Sequence, residues 1–130
     1  MTDRIRSASP YETAYGFSRA VRSGNRILVS GTAPVEPDGS STPDDAAAQT
    51  RCCFAIILAA IEELGGSAAD VVRTRMYITH APDADAIGAI HGEIFREIRP
   101  ASTMVVVSAL LRPEWRIEIE AEALIADGNE

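Results

Sequence analysis

Residues 116–125 read RIEIEAEALI, with Ile117, Ile119, Ala121 and Ala123 at one parity and Glu118, Glu120 and Glu122 at the other. Successive side chains of a β-strand point to opposite faces, so this segment is a strand with one dry face and one charged face. The dry face needs a cover, and working outward from the strand supplies one. Just upstream, Thr103 to Leu110 is almost continuously apolar, the pattern of a strand buried on both faces, and Leu111-Arg112-Pro113-Glu114 turns between the two.

Earlier still, a helix entered at Asp83 presents Ile87, Ile90, Ile94 and Ile98 at helical spacing and stops ahead of Pro100. Val71 to Thr79 is a strand with Val72, Thr74, Met76 and Ile78 on one face and Arg73, Arg75 and Tyr77 on the other. A longer helix opens at Thr42-Pro43-Asp44-Asp45, where Thr42 caps, Pro43 suits the first position and Asp45 closes a capping box. Its stripe of Cys53, Phe54, Ile57, Leu58, Ile61 and Leu64 faces a core, and Gly65-Gly66 ends it. Before an irregular stretch from Ala33 to Thr42, the runs Phe17 to Val21 and Ile27 to Ser30 form a hairpin reversing over residues 22–26, where Gly24 and Asn25 tolerate positive φ. The predicted order is β-β-α-β-α-β-β, an α+β single domain over residues 1–130 with its core in about 15–125. Two helices can cover only one face of such a sheet.

Composition narrows the function. The chain has 130 residues, 46% hydrophobic and 24% charged, and surface scaling for its mass gives ~6,700 Å² folded against ~20,000 Å² unfolded, enough for one core without a metal or disulfide staple. All 12 cations are Arg. Without lysine, Schiff-base chemistry and a P-loop are impossible. The net charge of −7 argues against nucleic acid as a partner, because phosphate binding needs clustered cations. Two adjacent cysteines, Cys52 and Cys53, and two histidines, His80 and His91, make neither a disulfide framework nor a zinc site, so no metal is expected. MTDRIRSASP lacks the apolar stretch of a signal peptide, and no run approaches the ~18 apolar residues of a membrane span, so no membrane partner and a cytoplasmic location are expected.

Three segments, YGFSRAVRSGNRILVSGTAP (15–34), DVVRTRMYIT (70–79) and RPASTMVVVSALLRPEWRIEIEAEAL (99–124), resemble in order and spacing the RidA/YjgF family. The resemblance implies a chorismate-mutase-like fold and a homotrimer with three intersubunit clefts, the charged sheet face lining the trimer interior. It implies cofactor-independent hydrolysis of reactive enamines and imines, such as 2-aminoacrylate, to a keto acid and ammonia. In that branch an Arg two residues after the strand-opening Pro clamps the substrate carboxylate, and the last Glu of Ile-Glu-Ile-Glu positions water. Glu120, Ser30 and Gly31 match the pattern. Three positions depart from it: Ser102 stands for the clamp, Phe17 for a Tyr, and Ala89 for an Asn, which places the chain among branches lacking the signature arginine.

Glu120 is therefore the candidate catalytic carboxylate: dehydrated in a cleft, such a group can hold or deprotonate water, whereas its plainer reading is an outward strand glutamate. Arg75, on the same face, either supplies the cation missing at Ser102 or pairs structurally with a glutamate. Ser30, Gly31, Ser102 and Thr103 offer hydroxyls and backbone N–H groups suited to a carbonyl or neutral polar ligand, or are ordinary strand-end residues. Phe17 can only pack. Trp115 either walls the cleft or covers the subunit interface. His91 reads as a satisfied core or edge histidine, His80 as a surface or helix-entry residue, and the cysteines as packed, inert thiols. The expected function is a small-metabolite enamine or imine hydrolase (deaminase). The alternative is a non-catalytic metabolite-binding trimer, and ribonuclease activity is a third reading that the acidic charge disfavours.

Overall fold

The computed structural model describes residues 2–7 and 9–126. Its elements run β1 (Thr2–Ile5), α1 (Pro10–Tyr15), β2 (Ala20–Ser23), β3 (Arg26–Thr32), α2 (Ala46–Glu63), β4 (Val71–Ile78), α3 (Ala84–Phe95), β5 (Ala101–Val106) and β6 (Ile117–Leu124). The strands form one sheet in the order β1-β2-β3-β6-β4-β5. All pairs are antiparallel except β4 and β5, which α3 joins in parallel. The seven expected elements occur in their expected order, and β1 and α1 precede them. β1, Thr-Asp-Arg-Ile, has no apolar alternation to betray it and exists by pairing with β2. In α1, the Ser9 hydroxyl accepts from Tyr11 N at 3.3 Å, Pro10 takes the first turn, and Gly16 at φ 79° ends the helix.

The hairpin turns at Gly24, whose φ of 62° needs a residue without a Cβ penalty. The cap of α2 is Asp45, accepting from Ala48 N at 3.1 Å, rather than Thr42, whose hydroxyl donates instead to Glu36 Oε2 at 2.6 Å. Burial inside the 33–42 loop thus takes Thr42 out of the helix.

α2 packs on β3 and β6 and against α3, so both long helices lie over the same sheet face. The core joins Phe54, Ile57 and Ile61 of α2 and Ile87 and Ile90 of α3 to Ile27, Met76, Ile78, Ile117 and Ile119 of the sheet. Burial of these side chains is the main stabilising term, about 1.5–3 kcal/mol for each fully buried one. Two strand assignments change. Val71, not Val72, enters the core, because a register shift between Val71 and Arg73 inserts a bulge that turns Val72 outward, 45% exposed. β5 is an edge strand paired only with β4; in the single chain Met104 alone packs partly against the core and Val106 is 56% exposed, so most of its apolar run is not buried within this subunit.

Candidate functional site

The open face of the sheet carries the charged residues in register. Arg75 of β4 lies opposite Glu120 of β6 on one side and Thr103 of β5 on the other. Tyr77, two residues on, donates its hydroxyl to Glu120 Oε1. Arg75 Nη1 donates to Glu122 Oε2 at 3.2 Å and stands 3.8 Å from Glu120 Oε2. Its primary partner is therefore Glu122, and Glu120 is approached without being captured. With Arg75 and Glu120 about one-third exposed, water screens this pairing, whose worth is about 0–1 kcal/mol. The hydrogen bond to Glu120, with burial adding, raises the Tyr77 pKa, so the phenol remains the donor.

Phe17, Ser30, Gly31 and Trp115 line a cavity of about 1150 Å³ between α1, the 33–42 loop, α2 and the 111–115 turn. Trp115 is buried in its own chain, so it walls this cavity, and its Nε1 donates to Ser41 Oγ at 3.0 Å. Buried Gln49 fixes the neighbouring backbone, donating to Glu114 O at 2.9 Å and accepting from Arg116 N at 2.8 Å. A register shift between Val29 and Thr32 takes Ser30 and Gly31 out of the β3–β6 ladder, a common device for aiming backbone groups beside a site. The Ser30 hydroxyl donates to Ser18 O at 2.7 Å. A Cβ at residue 31 would collide with the Glu118 carboxylate, whose Cδ would lie 3.3 Å away. Burial raises the pKa of Glu118, opposed by Arg19 and reinforced by Glu120. Arg19 is itself buried and donates to Gly31 O.

Ser102 faces the other way. Opposite Thr74 in register, it accepts from Thr74 Oγ1 at 2.8 Å on the helix-covered side of the sheet. Thr74 Oγ1 also meets His91 Nε2 at 2.8 Å, and His91 packs against Phe54 and Phe95. His91 is thus a satisfied core-edge histidine, its pKa lowered by burial. His80 meets Thr79 Oγ1 at 2.8 Å at the entry to α3. Cys53 is buried, and the loss of water pushes its thiol well above the usual range. Cys52 is half-buried on the cavity wall, its thiol also pushed up by burial.

Within one chain the candidates fall into three groups: Phe17, Ser30, Gly31 and Trp115 on the cavity, Arg75, Thr103 and Glu120 on the open face, and Ser102 on the helix side. The sequence reading missed Glu118, Arg19 and Tyr77. Their signals were present, since Glu118 shares the alternating run and Arg19 lies in the quoted hairpin, but no pattern says which of three like carboxylates leans over a glycine. Among the described residues no group of three or more His, Cys, Asp or Glu could hold a metal ion, and no helix is long and apolar enough to cross a membrane.

With this geometry in view, residues 7–125 match the family described as Endoribonuclease L-PSP, and the chain belongs to this RidA/YjgF family. It is 37% identical over 120 residues to an uncharacterised protein of Streptomyces coelicolor, covering 92% of this chain and 90% of that one. It is 32% identical over 111 residues to the 2-iminobutanoate/2-iminopropanoate deaminase of Escherichia coli, covering 83% and 86%. Among solved structures, a Mycobacterium tuberculosis member of the YjgF family superposes with a TM-score of 0.89 at 40% identity, covering 96% of this chain and 100% of that one. The expected α+β YjgF fold is the fold observed.

Proposed function

We propose that the chain assembles as a homotrimer and hydrolyses a small carbonyl-conjugated imine or enamine, without a cofactor and in the cytoplasm, in clefts where neighbouring subunits meet. The observation that carries the reading is Glu120, a half-buried carboxylate oriented by the Tyr77 hydroxyl with Arg75 beside it. The name of the E. coli relative supports the reaction class. Assembly would bring the cavity residues of one chain to the open-face residues of its neighbour, with Ser102 left on the helix side beside Thr74. In the cleft, Glu120 accepts a proton from water as the water oxygen bonds to the imine carbon, and the C=N π pair moves to nitrogen, which takes that proton from Glu120. Glu120 then takes the carbinolamine hydroxyl proton as the carbonyl forms and the C–N bond breaks, and passes it to the departing nitrogen, which leaves as ammonia. An enamine first takes a proton at carbon. The Gly31 backbone N–H, the Thr103 hydroxyl and the Arg75 cation hold the substrate, the Ser30 N–H being already given to Arg19 O at 3.0 Å, and Phe17 gives an apolar wall. Positioning is most of what such labile substrates require.

The test is ammonia release from a panel of imines and enamines by the wild type and Glu120→Gln. Turnover is expected to collapse in a variant that keeps the assembly mass of the wild type; equal rates remove the assignment. A second reading, a trimer that binds a metabolite without turning it over, draws on Ser102, whose hydroxyl is engaged by Thr74 and replaces no carboxylate clamp. Ligands that raise Tm while no product forms would select it.

A further inference from the structure

We propose that a second cavity, at the corner between α3 and β5, is a binding site for a small phosphomonoester whose phosphate is held by Arg96 and Arg99. The cavity is about 350 Å³ and is lined by His91, Gly92, Phe95, Arg96, Arg99 and Pro100, within the ~300–1,000 Å³ usual for small-molecule pockets. None of these residues lines the larger cavity beside α1.

The two arginines differ from the others in the chain. Arg26, Arg51, Arg73, Arg75, Arg112 and Arg116 are spent on carboxylates, whereas Arg96 and Arg99 have neither an ion-pair nor a hydrogen-bond partner among the described residues. Bonding the last carbonyls of α3, a common role for cations at a helix end, is therefore not what they do. Arg99 is also strained. Past α3 the chain makes one more turn, closed by Arg99 N donating to Phe95 O at 2.8 Å, and Arg99 takes φ 55°, the only positive φ outside glycine among the described residues. Glycine is the usual occupant of such a left-handed closing position, and Pro100, next in the chain, pushes its neighbour towards extended backbone instead. Strain at a residue that packs on nothing is a mark of function, here of the side chain. Gly92 supplies the room. A Cβ there would meet nothing within 4 Å, so packing does not demand this poor helix former inside α3, and its bareness opens the cavity.

The donors select the ligand. A carboxylate has two oxygens, enough for one guanidinium fork, whereas a phosphomonoester has three terminal oxygens and close to two negative charges, and engages both arginines. The rings of His91 and Phe95, 4.7 Å apart, and Pro100 give apolar surface to the organic part. Of the carboxylates in the same stretch of chain, Glu93 is held by Arg51 and Glu97 does not line the cavity. The carbonyl end of α3 opposes an anion, but with roughly half a charge against two.

This site uses neither Glu120 nor the larger cavity, and its test reads binding rather than turnover, so this inference and the proposed function can fail separately. Calorimetry with phenyl phosphate in physiological salt is expected to show saturable binding. Benzoate, the same ring on a carboxylate, and inorganic phosphate, which lacks the ring, are each expected to bind at least ~fivefold more weakly. Arg96→Gln and Arg99→Gly are each expected to weaken phenyl phosphate binding at least ~fivefold. Arg99→Gly has a second readout: glycine relieves the left-handed backbone, so Tm is expected to rise by a few degrees as binding is lost. Gly92→Leu, whose side chain enters open space, is expected to keep the fold and abolish binding. The proposal is overturned by absent binding, by equal affinity for benzoate or inorganic phosphate, or by unchanged affinity in any of the three variants. A lower Tm in Arg99→Gly overturns it too, since the arginine would then be there to hold the fold.

Discussion

Thr74 and Ser102 lie side by side in the parallel β4–β5 pair, and the Thr74 hydroxyl donates to Ser102 Oγ at 2.8 Å, tying the edge strand to the layer beneath α3. Thr74 is fully buried. Ser102→Ala therefore removes an acceptor from a dry hydroxyl, which costs about 1 kcal/mol and lowers Tm by a few degrees. Thermal unfolding of the variant checks this, and an unchanged Tm would show that His91 alone satisfies Thr74.

Gly31 and Glu118 share one space. Gly31→Ala places a methyl where the Glu118 carboxylate rests, so that carboxylate must swing away. The cost is expected to shrink in a Glu118→Ala background, with a coupling of roughly 0.5–3 kcal/mol in a double-mutant cycle of urea unfolding. Additive losses would mean that the strain comes from elsewhere.

Two partly buried titratable groups give pH dependences of opposite sign. Burial holds the His91 pKa below its usual 6.5. Above 6.5 the imidazole is neutral in both states, and as pH falls the unfolded chain protonates first, so stability is lost on going down through that window. Urea midpoints at pH 7.5 and 5.5 are expected to differ less in His91→Gln than in the wild type. Burial lifts the Glu118 pKa above 4.5. The unfolded chain ionises first as pH rises, so the wild type loses stability upward from 4.5, and Glu118→Gln is expected to be the more stable protein at pH 7 but not at pH 4.

β5 ends the sheet with Val105 41% and Val106 56% exposed. An apolar strand edge of this kind either aggregates or is covered by another chain, and lysine is the usual device that prevents pairing. Light scattering of the purified protein is expected to give three times the chain mass, falling towards one in Val106→Lys. A monomeric wild type would also remove the intersubunit cleft on which the proposed reaction depends.

The sequence alone determined the order of seven elements, the two apolar helix stripes and the dry face of β6, because periodicity is a local record of which side chains lose water. It also excluded lysine chemistry outright. Tertiary structure decided the rest. β1 and α1 carry too few apolar residues to leave a period, and the bulge at Val72 shifts parity by one residue, which no pattern announces. Thr103 to Leu110 reads as doubly buried, yet β5 is an edge, because hydrophobicity records that a surface is destined for contact and not whether the contact is within the chain. Glu118, Glu120 and Glu122 are equivalent as letters. Only the packing of Tyr77, Arg75, Arg19 and the bare backbone at Gly31 gives each carboxylate its own neighbours, and with them a distinct chemistry.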